Sequence, residues 1–273
     1  MIQRSRVTVA YDDIAIAVII DDPGAAGSDP LVLLPSSSRD SEDFDDIAER
    51  FARAGFRVLR PQPRGMCGSI GKLEGLTLHD YARDVAMVIR KLNAAPAFVL
   101  GHAFGQWIGR CVAADYPDLV RGVIMAAAAA KSANPALRQE LAKCIDTSLP
   151  DDVRLAALRV AFFAPGHDPS SWLGNWHPVA SKAQRAASAA TSQDDWWGAG
   201  SAPVLDLQAE HDPWRPPESR QGIVQDLGAG RVTVRLIPDA SHALIPEQPD
   251  AVVQAVRDWT RCLSPQSQGA THA

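Results

Sequence analysis

No stretch of the 273 residues is apolar over the roughly 18 positions that a membrane helix requires; runs such as 14–20 are only strand-length. The opening Met1-Ile2-Gln3-Arg4-Ser5 lacks the apolar centre of a secretion signal. Cysteine is scarce, and Cys67, Cys111, Cys144 and Cys262 are scattered without paired spacing. That pattern argues against a disulfide framework and a zinc site and suits a reducing cytoplasm. Positive charge is in deficit, with 27 Lys and Arg against 32 Asp and Glu. A protein that grips nucleic-acid phosphates leans the other way. Aromatic residues make up only 6%, yet 46% hydrophobic and 22% charged residues are the proportions of a folded chain, which excludes wholesale disorder. His79, His167 and His211 show no metal-ligand spacing, and no phosphate-cradling glycine loop follows a strand. Neither a metal nor a nucleotide cofactor is expected. These absences leave a soluble cytoplasmic protein whose partner is a small molecule, not nucleic acid or a membrane; a homodimer stays open.

Short runs rich in Val, Ile and Leu alternate with longer amphipathic stretches. Residues 7–11 and 14–20 read as a hairpin, 31–34 as a buried strand between Pro30 and Pro35, and 56–59 as a strand stopped by Pro61 and Pro63. Residues 44–54 place Phe44, Ile47, Ala48 and Phe51 on one helical face and end at Gly55. Residues 76–92 do the same with Tyr81, Val85, Val88 and Ile89. A strand at 98–100 enters Gly101, a helix follows over 107–116, and 120–130 reads as a central strand buried on both faces. This alternation predicts a mainly parallel sheet with helices on both sides. The rhythm breaks over 131–200, where helical patterns at 135–144 and 150–163 precede a loop-rich stretch. It resumes with strands at 204–207 and 232–237 and a helix at 249–262. The predicted plan is a core of 1–130 and 201–263, a helical insert at 131–200, and a disordered polar tail at 264–273.

Three loops carry candidate chemistry. Gly101-His102-Ala103-Phe104-Gly105 stands at a strand-to-helix junction. Two glycines let the chain turn tightly while the central residue points out above the sheet edge. This is the nucleophile-elbow pattern G-x-S-x-G with Ala in the central place. Asp212 follows the strand at 204–207, and His242 follows the strand at 232–237. Taken singly, Asp212 before Pro213 is turn chemistry and His242 a loop histidine. Their order after the elbow, each beyond a strand, is that of one catalytic arrangement.

On these residues the chain resembles the α/β-hydrolase fold family over nearly everything from Val7 to Cys262. Arg60-Pro61-Gln62-Pro63-Arg64-Gly65-Met66-Cys67-Gly68-Ser69 resembles the family segment D-x-R-G-x-G-x-S, with Gln62 in the usual Asp place. Ala114-Asp115-Tyr116-Pro117-Asp118-Leu119-Val120 resembles its A-x-x-Y-P-x-x-V passage. The resemblance implies a mostly parallel eight-stranded sheet flanked by helices, with the insert as a cap. It implies that Asp212 orients His242 as general base, and that the amides of Phe104 and Ser37 form an oxyanion hole. Here Pro35-Ser36-Ser37-Ser38 replaces the family's His-Gly, and Pro35 has no amide hydrogen to donate.

Ala103 is the departure that matters, because a methyl group cannot attack a carbonyl. Loss of the nucleophile from a serine-hydrolase triad costs on the order of 10⁶ in turnover. Three readings stay open: a serine replaced to trap substrate, a native Ala with His242 and Asp212 acting as base, or a ligand-binding protein on a spent scaffold. His102 reads as a packed, hydrogen-bonded side chain beside the elbow. Trp172, Trp176, Trp196 and Trp197 in the insert, with Trp107, Trp214, Ser36 and His102, are candidate walls of an apolar pocket. The expected function is cofactor-independent chemistry on a small hydrophobic carbonyl compound, with ester, lactone, amide and C–C bond cleavage all open.

Overall fold

The computed structural model describes residues 2–131 and 134–263. The tail expected at 264–273 lies outside the described residues. In chain order the elements are β1 (Gln3–Tyr11), β2 (Ile14–Asp22), β3 (Asp29–Leu34), α1 (Asp45–Arg53), β4 (Phe56–Pro61), α2 (Leu78–Lys91), β5 (Ala97–His102), α3 (Phe104–Asp115) and β6 (Val120–Ala126). The insert contributes α4 (Pro135–Ile145), α5 (Asp151–Ala161), α6 (Pro178–Ala189) and α7 (Gln193–Trp196). The chain then forms β7 (Val204–Ala209), α8 (Gly222–Leu227), β8 (Val232–Ile237), α9 (Leu244–Glu247) and α10 (Pro249–Leu263).

The eight strands form one sheet in the order β1-β2-β4-β3-β5-β6-β7-β8. Pairings β1–β2 and β2–β4 are antiparallel, and all others are parallel. Every residue of β5 and β7 is buried, the condition under which strands become continuous apolar runs. One face packs against α2 and α3 through Tyr81, Val85, Val88, Ile108 and Val112. The other packs against α1 and α10 through Ile47, Phe51, Val252, Val256 and Trp259. A capping box starts α2: the Thr77 hydroxyl accepts from the Asp80 amide and the Asp80 carboxylate accepts from the Thr77 amide. Among the described residues no helix is long and apolar enough to cross a membrane.

Parallel strands β3 and β5 to β8 bring the loops after their C-terminal ends to one edge of the sheet, where open α/β folds place ligands. The long apolar run at 120–130 is strand only to Ala126. Ala127 takes a positive φ of 50°, and its amide donates to the Leu207 carbonyl, which turns the chain out of the sheet. Helix α6 lies within the stretch expected to be loop-rich. Its buried positions Ala180, Ala183, Gln184 and Ala187 follow helical spacing. Their small side chains give little apolar contrast, so the face is faint in sequence; Pro178 at the first helical position is its clearest signal.

Candidate active site

The elbow between β5 and α3 is built by close approach. A Cβ on Gly101 would lie 2.2 Å from the Gln106 nitrogen, and one on Gly105 would lie 2.2 Å from the Leu34 carbonyl oxygen. Neither position admits a side chain, since both contacts are with backbone. Ala103 at the apex has φ 47° and ψ −110°, a region that strains any residue carrying a Cβ. Its amide donates to the Ala126 carbonyl at 2.9 Å, which fixes the turn to the end of β6. Ala103 is buried, at 8% exposure.

Asp212 follows β7 and His242 follows β8. Their loops are joined by the His211 amide donating to the Ala240 carbonyl at 2.8 Å. His242 Nδ1 lies 3.1 Å from Asp212 Oδ1 and 3.0 Å from Oδ2, and both side chains are buried. A carboxylate facing Nδ1 holds the proton there and leaves the Nε2 lone pair free. Nε2 has no hydrogen-bond partner among the described residues. Asp212 Oδ1 also accepts from the Trp214 amide at 2.8 Å. The imidazole is walled by Trp214, Phe162 and His102, with ring centroids at 5.4, 5.5 and 5.7 Å.

His102 is fully buried, and desolvation followed by the nearby His242 drives its pKa down to about 3. Its ring is therefore neutral. Nε2 lies 2.7 Å from the His242 carbonyl, which can only accept, so Nε2 carries the proton and ties the His242 loop to the elbow.

Leu34 and Pro35 carbonyls press on Gly105, so the loop after β3 lies against the start of α3. Phe104 stands in the first turn of α3, where an amide has no intrahelical acceptor. Among the described residues, neither the Phe104 amide nor the Ser37 amide donates to another group. Ser36 is buried and its carbonyl accepts from the Arg39 amide at 3.3 Å. The neighbouring Ser38 amide is taken by Gln184 Oε1 of α6 at 2.8 Å.

The tryptophans divide into two groups. Trp172 and Trp176 pack with Phe162, Phe163 and Trp214 in the small core of the insert. Trp172 reaches His102 at 6.2 Å, so this group adjoins the imidazoles. Arg39 lies over both rings at 4.9 and 4.7 Å while its guanidinium grips Asp43. Trp107, Trp196 and Trp197 stack elsewhere. Trp107 packs between Phe104 and Trp196, Trp197 covers the Arg110 guanidinium at 4.0 Å, and Trp196 and Trp197 are buried in the main core beside α2 and α3. The structure therefore sets Trp214 against His242, Trp172 against His102 and Trp176 behind them on Phe162 and Trp172, and it sets Trp107, Trp196 and Trp197 apart as glue between α7 and α3.

Sequence reading missed Phe162, Arg39 and Glu247. Buried Glu247 accepts from the Ser241 amide at 2.6 Å and the Ala164 amide at 2.5 Å, so it joins the His242 loop to the insert; burial pushes its carboxyl up. Its place in the Pro246-Glu247-Gln248-Pro249 run gives no hint of partners so far along the chain. A small cavity of about 30 Å³, lined by Leu34, Pro35, Tyr81, Phe104, Ile108 and Gln184 among others, stops short of Ala103 and His242. An outward-opening hollow of about 430 Å³ lies behind the paired loops, against Phe163, His167, His211, Pro213 and Ser241.

An eight-stranded sheet of this order, an elbow after β5 and a buried Asp–His pair after β7 and β8 define an α/β-hydrolase architecture. A sequence profile of the Alpha/beta hydrolase family matches residues 31–255, and the chain belongs to that family. Protein ABHD8 of Bos taurus is 25% identical over 217 residues, 74% of this chain and 49% of that protein. A 2-(acetamidomethylene)succinate hydrolase of Mesorhizobium japonicum is 34% identical over 99 residues, 36% of this chain and 35% of its own. The chain thus spans half or less of the length of these two relatives. Among solved structures, the enol-lactonase of Burkholderia xenovorans LB400 superposes with a TM-score of 0.70 at 20% identity, covering 93% of this chain and all of that one. An esterase of Exiguobacterium antarcticum superposes with a TM-score of 0.76 at 16% identity, covering 93% and 98%.

Proposed function

We propose that the protein hydrolyses a small apolar carbonyl compound by direct base chemistry, without an acyl-enzyme. The observation that carries this reading is the buried Asp212–His242 pair, with a free Nε2, in a fold whose elbow holds an inert methyl at Ala103. In this reading a water gives a proton to His242 Nε2 as its oxygen bonds to the carbonyl carbon. The Asp212 carboxylate stabilises the imidazolium. The oxyanion takes hydrogen bonds from the Ser37 and Phe104 amides. Collapse of the tetrahedral adduct breaks the bond to the leaving group, which takes the proton back from Nε2. The walls of Phe162, Trp172 and Trp214 favour an uncharged, hydrophobic substrate. The hydrolase and enol-lactonase among its relatives support the reaction class, and ester, lactone and amide substrates all fit it.

Binding without turnover is the second reading, favoured by the methyl at Ala103 and by a small cavity that stops short of it. A panel of p-nitrophenyl esters and lactones separates the two. Steady turnover by the native chain, reduced about 10² to 10⁴-fold in His242→Ala, supports base catalysis. Turnover that appears only in Ala103→Ser, with a burst of acyl-enzyme, would show that the native chain does not hydrolyse these substrates. Ligands that raise the melting temperature without turnover in either form would establish the binding reading.

A further inference from the structure

Away from the elbow, three side chains of different chemistry converge from three parts of the chain. Asp40 lies beyond β3, Cys67 in the tight loop after β4, and His177 at the start of α6 in the insert. Their ligand atoms, a carboxylate oxygen, Sγ and an imidazole nitrogen, all lie within 4.8 Å of one another. We propose that Asp40, Cys67 and His177 form a three-ligand site for a thiophilic divalent cation, Zn²⁺ or Co²⁺, with its fourth position open to water.

Asp40 and His177 are held in place before any ion arrives, and the loop that carries Cys67 is fixed through its backbone. Asp40 is buried, and its Oδ1 caps the following turn by accepting from the Glu42 amide at 2.8 Å, which leaves Oδ2 to face the cluster. His177 Nε2 lies 2.8 Å from that Oδ2, and the His177 amide donates to the Ser38 carbonyl at 2.9 Å. Cys67 is exposed, in a loop closed by Gly65 and Ser69 pairing and by a bridge from Ile70 to Ala15 on β2. Arg39, the nearest cation in sequence, is turned onto Asp43 and the rings of Trp172 and Trp176.

The donor set fixes the class of ion. One sulfur, one imidazole nitrogen and one carboxylate oxygen suit zinc or cobalt, whereas magnesium and calcium take oxygen ligands. A thiolate and a carboxylate together balance a dipositive charge. Three protein ligands, one of them the exposed Cys67, is the count of an open zinc site. Binding requires that the Cys67 thiol give up its proton to solvent and that His177 take the tautomer with its proton on Nδ1, which leaves the Nε2 lone pair for the ion. The ion would pin the start of α6 to the loops after β3 and β4, three residues beyond Ser37.

Chelator-stripped protein titrated with Co²⁺ is expected to develop a thiolate-to-cobalt charge-transfer absorption that saturates at one equivalent. Zn²⁺ added afterwards abolishes it and raises the melting temperature of the native chain. Cys67→Ser removes the band, and Cys262→Ser, an exposed thiol elsewhere, keeps it. Asp40→Asn and His177→Asn each weaken Co²⁺ binding by at least the roughly tenfold that loss of even an outer partner costs. Far-UV circular dichroism of the metal-free variants, superimposable on that of the native chain, assigns these losses to ligation. A native chain without the band, a full band in Cys67→Ser, or unchanged affinity in both other variants overturns the site.

Discussion

His102 sits with its imidazole sealed between the elbow and the His242 loop, its pKa driven down to about 3 by desolvation and by His242. The sign of the resulting pH dependence follows from where the proton is held. The unfolded chain binds a proton below about 6.5 that the folded chain refuses until far lower pH, so His102 stabilises the fold above that value and loses this contribution as pH falls. At about 1.4 kcal/mol per pH unit, acidification from pH 7 to 5 removes about 2 kcal/mol through this residue. In His102→Gln the amide can still donate to the His242 carbonyl but does not titrate. Urea unfolding at the two pH values is expected to show a shallower loss for the variant. An equal loss in both proteins would place the acid sensitivity elsewhere. At the same scale, glycine at 101 and 105 was legible as turn chemistry, but the reason it is obligatory lies in backbone atoms 2.2 Å away.

Helix α6 is joined to the loop after β3 by two contacts on Ser38, whose amide donates to Gln184 Oε1 and whose carbonyl accepts from the His177 amide. Ser38 also takes a positive φ of 65°, so this loop depends on outside contacts for its shape. Gln184→Ala leaves a buried amide without an acceptor, at a cost of about 1 to 3 kcal/mol. Hydrogen exchange is expected to show faster exchange at Ser38 and its neighbours, with amides of β5 unchanged. Native-like protection at Ser38 would mean that another group holds the loop. The sequence revealed elements with strong periodicity, such as α1, α2 and the parallel strands, because a wide apolar face against a polar one is a local property of the chain. It concealed α6, whose buried face is mostly alanine and serine, and it ran β6 four residues too far because alanine is apolar enough for a strand and equally at home beyond one.

The insert does not stand off from the sheet. Its small core of Leu137, Leu158, Phe162, Trp172 and Trp176 includes Trp214 and Ala243 from the loops beyond β7 and β8. Glu247 and the Ala243 amide, which donates to the Phe162 carbonyl at 2.7 Å, join the two parts through backbone. A single cooperative transition is therefore expected in urea, with tryptophan fluorescence and far-UV circular dichroism superimposing. Two separated transitions would show that the insert melts by itself.

The α/β class, the mostly parallel sheet and the chain order of the Gly101–Gly105 turn, Asp212 and His242 were all legible in the sequence alone, because each rests on patterns spanning a few residues along the chain. What the tertiary structure decided was proximity. It alone brought Asp212 within 3.0 Å of His242 and drew Trp172 and Trp214 toward the imidazoles while setting Trp107, Trp196 and Trp197 apart. It also gathered Asp40, Cys67 and His177 into one cluster. Ligand spacing along a chain can announce a metal site only when the ligands share a segment. These three are separated by strands and by the insert, and only the folding of the sheet, with α6 laid across its loops, makes them neighbours.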